Sequence, residues 1–466
     1  MNYLLFRSPI NIKKPGTNTY GYETIFYPPL GLMYIAASLE QNGHKVEIID
    51  LGFDKFLSGE LKQKLSNIDI VGLEVYTDNY KEVKNLAKKI KELKPNISII
   101  IGGPHCIFFP KKSILDVKYA DIAIVGEGEE TINDVSLYLQ GKKNISDIYN
   151  IYYKKNEEIL PGKGLKFIKN LDSLPFPSRH LVEKYDYDRL PHGFFYKKKL
   201  TLMITSRGCP FHCHFCGRYS NSIENYNFRQ RSTENIVEEI LNIQNRYNSV
   251  MIIDDSFLCN LKKAHRIFDM LIEYGSKIEI LILGARVDTA ERELYKKMKK
   301  ANVTYISFGI ESGNQDVLDF YNKKVTLNQI RKAVLLSNEM GFQIGGTLIL
   351  GAPIETKYHF KKTIKFSKTL PIDNAIFSVL KYEMGSYLWK EAVKNGKIGK
   401  EEFLVPANSL RGLGNFTLEE LTRFTRNAYI VYYLRPRFLF VQIKKCLLKK
   451  DIGHLGIFLR FLFSIK

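Results

Sequence analysis

The stretch TSRGCPFHCHFCG, Thr205 to Gly217, sets Cys209, Cys213 and Cys216 in a C-x3-C-x2-C array, and the rest of the chain is read outward from it. Three thiolates so close on one loop can turn inward together and bind three irons of a four-iron cluster. Such clusters are normally held by four cysteine thiolates. The fourth iron therefore keeps an open coordination site or takes a distant cysteine. Cys106, Cys259 and Cys446 each stand alone in the sequence. Zinc is the competing reading: a tetrahedral site wants four nitrogen or sulfur ligands and would recruit His212 or His214. A disulfide framework fits poorly, because few cysteines in a long chain, three of them clustered, point to a reducing compartment.

The apolar run LTLMITSRG, Leu200 to Gly208, leads straight into the cysteines, so the array sits just past the C-terminal end of a strand. From there a β/α alternation predicts strands at Leu200–Thr205, Val250–Ile253, Ile278–Leu283, Tyr305–Gly309, Thr347–Leu350 and Ala375–Leu380. Helical periodicity lies between them, at Thr233–Tyr247, Glu291–Ala301 and Leu327–Met340. Asp288 with Glu291, and Thr326 with Gln329, have the spacing of capping boxes. Six such units predict a partial (β/α)6 barrel, whose functional loops gather at the C-terminal face. At that face stand Asp254 and Asp255, Arg286, Glu311 and Ser312. Each alone could be a cap or a salt-bridge partner; their shared position at strand ends makes them candidate ligand contacts.

Residues 1–140 show a second alternation, with strands predicted at Tyr3–Phe6, Val46–Asp50, Ile70–Val75, Ile97–Ile101 and Ile122–Val125 and an amphipathic helix at Lys81–Lys94. This predicts a doubly wound, Rossmann-like parallel sheet, which binds ligands beyond the carboxyl ends of its strands. Gly102-Gly103-Pro104-His105 follows one strand and Gly126-Glu127-Gly128-Glu129-Glu130 the next. Glycine there admits a ligand close to the backbone, although tight turns and helix caps use the same residues. Residues 141–199 read as a connector, with a hairpin at Ile148–Leu160 and a proline-rich run at Leu171–Leu181 expected in the cleft between domains. The barrel spans 200–395, and 396–466 is a C-terminal region. From Arg435 on it has eight basic residues against Asp451, interleaved with FLFVQI, CLL and GIFLRFLF. Such a basic amphipathic tail suits an anionic membrane surface, a greasy substrate pocket, or a helix packed on the barrel with its lysines in water.

The 466 residues carry 69 Lys and Arg against 49 Asp and Glu, a net charge of +20, with 45% apolar residues. That excess attracts nucleic acid, anionic membrane or acidic ligands, or is simply a solvated lysine-rich surface. No signal peptide is visible at the N-terminus, and no run reaches the roughly 18 apolar residues of a membrane span. A cytoplasmic protein, with membrane association through its tail as an option, is expected.

The C-x3-C-x-aromatic-C loop, with Phe215 as its aromatic, resembles the signature of the radical S-adenosylmethionine (SAM) superfamily. The resemblance implies that Cys209, Cys213 and Cys216 bind a [4Fe-4S] cluster. SAM chelates the open iron, and an electron from an external one-electron reductant cleaves it to a 5'-deoxyadenosyl radical. Residues Pro28–Asp50, with the two glycine loops, resemble the cobalamin-binding domain that precedes many radical SAM domains. Gly102, Gly103, His105, Glu127 and Gly128 are thereby expected at cobalamin. The segments IIDDSF, GARVD, FGIESG and LILGAPIET resemble blocks surrounding SAM, with Glu311 and Arg286 the leading contacts and Asp255 and Ser312 beside them. Two departures stand out. Ile253-Asp254-Asp255 replaces the family's Gly-Gly-Glu, and the loop Ser8–Asn18 lacks the histidine of D-x-H-x-x-G, leaving His105 as the alternative lower ligand of cobalt. Weak lower-face ligation resembles the methylases, so methylation of an unactivated carbon in a small-molecule or lipid-like substrate is expected. A cobalamin-dependent cyclase or rearrangement enzyme, a tRNA methylthiotransferase and a non-enzymatic iron–sulfur carrier are the alternatives. A nucleic-acid partner is not expected.

Overall fold

Isoleucine- and valine-rich runs buried on both faces form the strands of two sheets in this computed structural model, which describes residues 1–9, 11–13, 20–22, 27–156, 158–188, 196–218 and 226–448. Ile280, Leu281 and Ile282 show the pattern: all three are fully buried, each contributing about 1.5–3 kcal/mol by leaving water. Period-2 alternation is absent in the first sheet because helices cover both its sides, whereas in the second sheet burial alternates toward the carboxyl ends of the Val303–Glu311 and Gln343–Leu350 strands. The described residues divide into two compact units, the first ending at Tyr187 and the second beginning at Asp188.

In the first unit β1 (Asn2–Arg7), β2 (Lys45–Asp50), β3 (Ile70–Glu74), β4 (Ser98–Gly102) and β5 (Ile122–Ile124) are parallel, in the order β2-β1-β3-β4-β5. The antiparallel pair β6 (Ile151–Lys155) and β7 (Glu158–Pro161) extends the sheet beyond β5 and supplies the predicted hairpin. Helix α1 (Leu30–Gln41) and its successors α2 (Ser58–Leu65), α3 (Tyr80–Leu93), α4 (Pro104–Phe108), α5 (Pro110–Asp116) and α6 (Gly128–Leu139) complete the doubly wound layers. Winding reverses direction between β1 and β3, the switch point where such sheets open a crevice. Register pairs Arg7 with both Asp50 and Glu74, and Glu74 with Gly102, so these four residues line the carboxyl edge in a row.

The proline-rich run forms only two short 3-10 turns, Leu171–Ser173 and Arg179–Leu181, and packs on this first unit. The Ser178 N–H donates to Met33 O (3.1 Å), and the Tyr187 hydroxyl donates to Asp50 Oδ2 (2.9 Å). Contacts thus draw the expected connector into the first unit as far as Tyr187.

In the second unit β8 (Leu200–Met203), β9 (Ser249–Ile252), β10 (Glu279–Ala285), β11 (Val303–Glu311), β12 (Gln343–Leu350) and β13 (Asn374–Val379) are all parallel and neighbour one another in sequence order. That one-way winding, with β8 and β13 at opposite edges, is the partial barrel. Helices α7 (Thr233–Ile243), α8 (Leu261–Glu273), α9 (Arg292–Lys300), α10 (Gln315–Phe320), α11 (Leu327–Glu339) and α12 (Lys357–Thr369) cover it. Thr326 and Gln329 form their capping box. Asp288 does not cap α9: its carboxylate holds Arg286 instead (3.0 and 2.8 Å).

Beyond the barrel come α13 (Tyr387–Lys394), α14 (Leu418–Tyr433) and α15 (Pro436–Leu448). Helix α14 closes the β13 edge, whose unpaired backbone would otherwise invite another strand. Tyr433 Oη accepts from Ala375 N (2.9 Å) and donates to Ala375 O (2.8 Å), and Tyr429 Oη accepts from Phe377 N (3.1 Å). Helix α15 packs through Phe438, against the Tyr432 and Tyr433 rings, and through Gln442, which donates to Asp373 Oδ1 (3.2 Å). Phe440, Val441 and Ile443 face outward. The remainder of the basic tail, 449–466, and residues 14–18 of the loop after β1 lie outside the described residues.

Candidate functional site

The cysteine loop is held from every side by backbone and buried side chains. Before it, Asp254 accepts from Thr205 N (2.6 Å), Thr205 Oγ1 (2.5 Å) and Ser206 Oγ (2.6 Å). Burial pushes this carboxyl upward in pKa, and those three donors pull it back. Within the loop, His214 N donates to Tyr321 O (2.9 Å), His214 O accepts from Leu388 N (3.0 Å) and His212 O accepts from Asn322 Nδ2 (2.9 Å). Phe215 meets the Tyr321 ring edge-on at 5.0 Å. At its end, Gly217 N donates to Glu383 Oε2 (3.1 Å), and a methyl group at 217 would come within 2.6 Å of Met384 O, so only glycine fits.

Cys209, Cys213 and Cys216 are half-buried and in no disulfide. Burial raises Cys209 and carries Cys216 up to about 11. The Arg218 guanidinium, itself paired with Asp255, opposes that rise at both thiols. A cation placed there suits thiolates, the form in which cysteine binds metal. Asp255, a candidate for SAM, thus has Arg218 as its partner.

The other candidate SAM residues also have protein partners. Glu311 ends β11 with a left-handed φ of 62° beside a bulge, and its Oε1 accepts from Lys323 Nζ at 2.8 Å, both side chains buried. Arg286 holds Asp288, donates to Lys323 O (2.9 Å) and lies 3.7 Å over the Phe211 ring of the cysteine loop. Ser312 is buried against Thr363 Oγ1 (3.2 Å) and receives Asn314 N (3.2 Å), a loop-bracing arrangement. Missed by sequence reasoning were Arg218, Lys323 and the pair Glu355 and Tyr321. Glu355 Oε2 accepts from Gly351 N (2.6 Å) and Ala352 N (2.8 Å), whereas its Oε1 and Tyr321 Oη are buried without hydrogen-bond partners among the described residues. Burial raises the Glu355 carboxyl to about 7. The GAPIE segment carried the only signal for Glu355, and Arg218 stood directly after the cysteine stretch.

At the carboxyl edge of the first sheet Gly103 adopts φ 115°, and a methyl group there would come within 2.9 Å of Val75 O. Gly102 shows no such crowding. Gly128 opens α6, where a methyl group would come within 2.8 Å of Ile35 Cδ1 and push that side chain aside. Glu127 is committed inside the unit, its Oε2 accepting from Ile168 N (2.7 Å). His105 is 5% exposed, between the rings of Tyr80 (5.1 Å) and Phe109 (4.9 Å), with Nδ1 3.2 Å from Thr77 Oγ1. Desolvation lowers it to about 4, so the ring is neutral, and Nε2 has no hydrogen-bond partner among the described residues.

A model of the radical SAM superfamily matches residues 203–367, and a model of the B12 binding domain matches residues 24–136. An uncharacterized methyltransferase of Pyrococcus horikoshii is 32% identical over 428 residues, covering 89% of this chain and 90% of the relative. The chain belongs to the cobalamin-binding radical SAM family. Its cofactors are a [4Fe-4S] cluster, SAM and cobalamin. Another relative of this radical SAM protein, the anaerobic magnesium-protoporphyrin IX monomethyl ester cyclase of Cereibacter sphaeroides, is 25% identical over 423 residues, 88% of this chain and 67% of the cyclase. The solved structure of the cobalamin-dependent SAM radical enzyme OxsB with aqua-cobalamin bound has the same fold, with a TM-score of 0.71 at 15% identity, covering 100% of this chain and 80% of that one.

The residues fit a cluster better than zinc. Among the described residues no three His, Cys, Asp or Glu side chains converge as a single ion requires. In a cubane each thiolate takes a different iron, so the sulfurs stand apart. His214, one of the two histidines a zinc site would recruit, has its Nδ1 2.8 Å from Phe320 O and its ring stacked on Tyr387. The edge of the first sheet fits a corrinoid through the orphaned His105 Nε2, Ser8 Oγ and Glu74 Oε2, buried polar atoms that a bound ligand's polar groups could satisfy.

Proposed function

We propose that this chain is a cobalamin-dependent radical SAM methyltransferase that methylates an unactivated carbon of a small-molecule or lipid-like substrate. The observation carrying the proposal is a rigidly braced three-cysteine loop at the carboxyl face of a β/α barrel, in a chain with a corrinoid-type sheet. Cys209, Cys213 and Cys216 would hold the cluster, and three ligands in place of the usual four would leave a site open to SAM. When bound, the cluster and SAM supply the radical that removes a substrate hydrogen, and cobalamin supplies the methyl group. Asp254 fixes the start of the loop, and Arg218 offsets the negative charge of Cys209 and Cys216. Gly103 lets the turn after β4 pack directly on the Val75 backbone, which shapes the carboxyl edge of the first sheet.

Electrons come from an external one-electron donor, and a cytoplasmic setting suits an oxygen-labile cluster. The outward Phe440, Val441 and Ile443 beside Lys444 on α15 support contact with an anionic lipid surface, which removing residues 435–466 tests by flotation with vesicles. Among the described residues no helix is long and apolar enough to cross a membrane.

The test is anaerobic turnover of reconstituted protein with methyl-labelled SAM, cobalamin and a small-molecule and lipid extract of a deletion strain. Label in one extract component, with one S-adenosylhomocysteine and one 5'-deoxyadenosine formed per methyl, is expected. Formation of 5'-deoxyadenosine with an unlabelled, cyclised product would overturn methylation in favour of the second reading, a radical cyclase, which the Cereibacter relative supports.

A further inference from the structure

The carboxyl edge of the first sheet carries two buried polar atoms that nothing among the described residues satisfies. Ser8, the residue after β1, is 1% exposed, and its hydroxyl has no hydrogen-bond partner among those residues. Glu74, the last residue of β3, is 8% exposed; its Oε1 accepts from the Tyr76 hydroxyl (3.2 Å), and its Oε2 has none. A buried polar group left unpaired is costly, and native structures rarely keep one without a role.

Both are held in place by their backbones. The Asn79 side-chain amide donates to Ser8 O and to Glu74 O, each at 3.3 Å, stapling the two strand ends together. Arg7, which pairs in register with Glu74, lends its carboxylate charge but no hydrogen bond to Oε2; its Nη1 donates to Asp50 Oδ2 (2.9 Å) and Tyr27 O (2.6 Å). The two orphans flank the β1/β3 switch point, where a doubly wound sheet takes its ligand.

Building on the cobalamin reading above, we infer that Ser8 Oγ and Glu74 Oε2 together hydrogen-bond one neutral group of the bound corrinoid. That group both donates and accepts: it is a carboxamide of the corrin periphery or the ribose hydroxyl of the nucleotide tail. A hydroxyl beside a carboxyl matches a carboxamide's C=O and N–H in either protonation state of Glu74.

The experiment titrates the purified full-length chain with aquacobalamin and, separately, with diaquacobinamide, which lacks the tail. It compares wild type, Ser8→Ala and Glu74→Ala by ultrafiltration and absorbance, and records the melting of each without corrinoid. Ser8→Ala decides, since its hydroxyl has no partner among the described residues to lose. Its affinity for aquacobalamin should fall about tenfold while its corrinoid-free melting stays level or rises. Glu74→Ala, which also strands Tyr76, should weaken binding at least as much. Loss for both corrinoids assigns the contact to the ring periphery; loss for aquacobalamin alone assigns it to the tail. Unchanged affinity in Ser8→Ala, or a melting loss as large as its affinity loss, overturns the inference. Wild type that binds neither corrinoid refutes the cobalamin reading itself, a result distinct from wild-type binding with indifferent variants.

Discussion

Replacing Asp254 by alanine removes the acceptor of three hydrogen bonds at the entrance to the cysteine loop, from Thr205 N, Thr205 Oγ1 and Ser206 Oγ. The two hydroxyls can rotate toward other acceptors, but the Thr205 amide cannot. At about 1–1.5 kcal/mol net for each bond, plus desolvation of a stranded amide, the loss is about 3–5 kcal/mol. In a unit of this size that lowers the melting temperature by about 10 °C. The loop should also lose its fixed start, so iron and sulfide retained after anaerobic reconstitution should fall well below half of wild type. Asp254→Asn keeps one acceptor for the amide and presents an NH2 that a hydroxyl can accept, so it should cost about 1 kcal/mol and retain most of the iron. The assay pairs thermal melting with iron and sulfide analysis. An alanine variant with wild-type melting and full iron would refute the argument that Asp254 builds the loop.

Three further outcomes follow from the buried groups. Glu355 has a folded pKa of about 7 against an ordinary glutamate value of 4.5, so the folded state holds its proton more tightly. Stability should therefore be greatest below pH 4.5 as far as this group is concerned and decline as pH rises to about 7, by roughly 3 kcal/mol. Glu355→Gln should flatten that slope in urea melts across the window. Lys323→Met leaves the Glu311 carboxylate buried without its partner and should cost about 3–5 kcal/mol in the same melts, with Glu311→Gln added in the double variant restoring much of it. Gly217→Ala drives a methyl group against Met384 O and should reduce cluster iron as Asp254→Ala does, with circular dichroism unchanged.

The strands were legible because both faces are buried, and the predicted strand positions overlap every strand of the two main parallel sheets. The cysteine array was legible because its spacing is local. What escaped was set by tertiary partners and by where helices begin. Asp288 looked like a cap, but α9 starts only at Arg292 with Glu291 as its N-cap, and the Asp288 carboxylate holds Arg286 instead. Glu311 and Arg286 stood out as charged strand ends, yet nothing in a linear reading shows that Lys323 would supply an ammonium to one and a carbonyl to the other. The tyrosines of α14 drew no reading from the sequence, and the unpaired edge of β13 explains the hydroxyls of Tyr429 and Tyr433. Ser8 and Glu74 carried no signal because an orphaned atom is a property of packing.

The central claim is that Cys209, Cys213 and Cys216 hold a SAM-cleaving cluster in a chain that also takes cobalamin. Its most direct test is anaerobic reconstitution with iron, sulfide and aquacobalamin, followed by strong reductant and SAM, with 5'-deoxyadenosine measured against a Cys209→Ala/Cys213→Ala/Cys216→Ala variant. The account predicts about four irons and one corrinoid per wild-type chain, with 5'-deoxyadenosine from wild type alone and corrinoid retained by both. Stoichiometric zinc in place of iron, or an intact cluster that leaves SAM uncleaved, would contradict it.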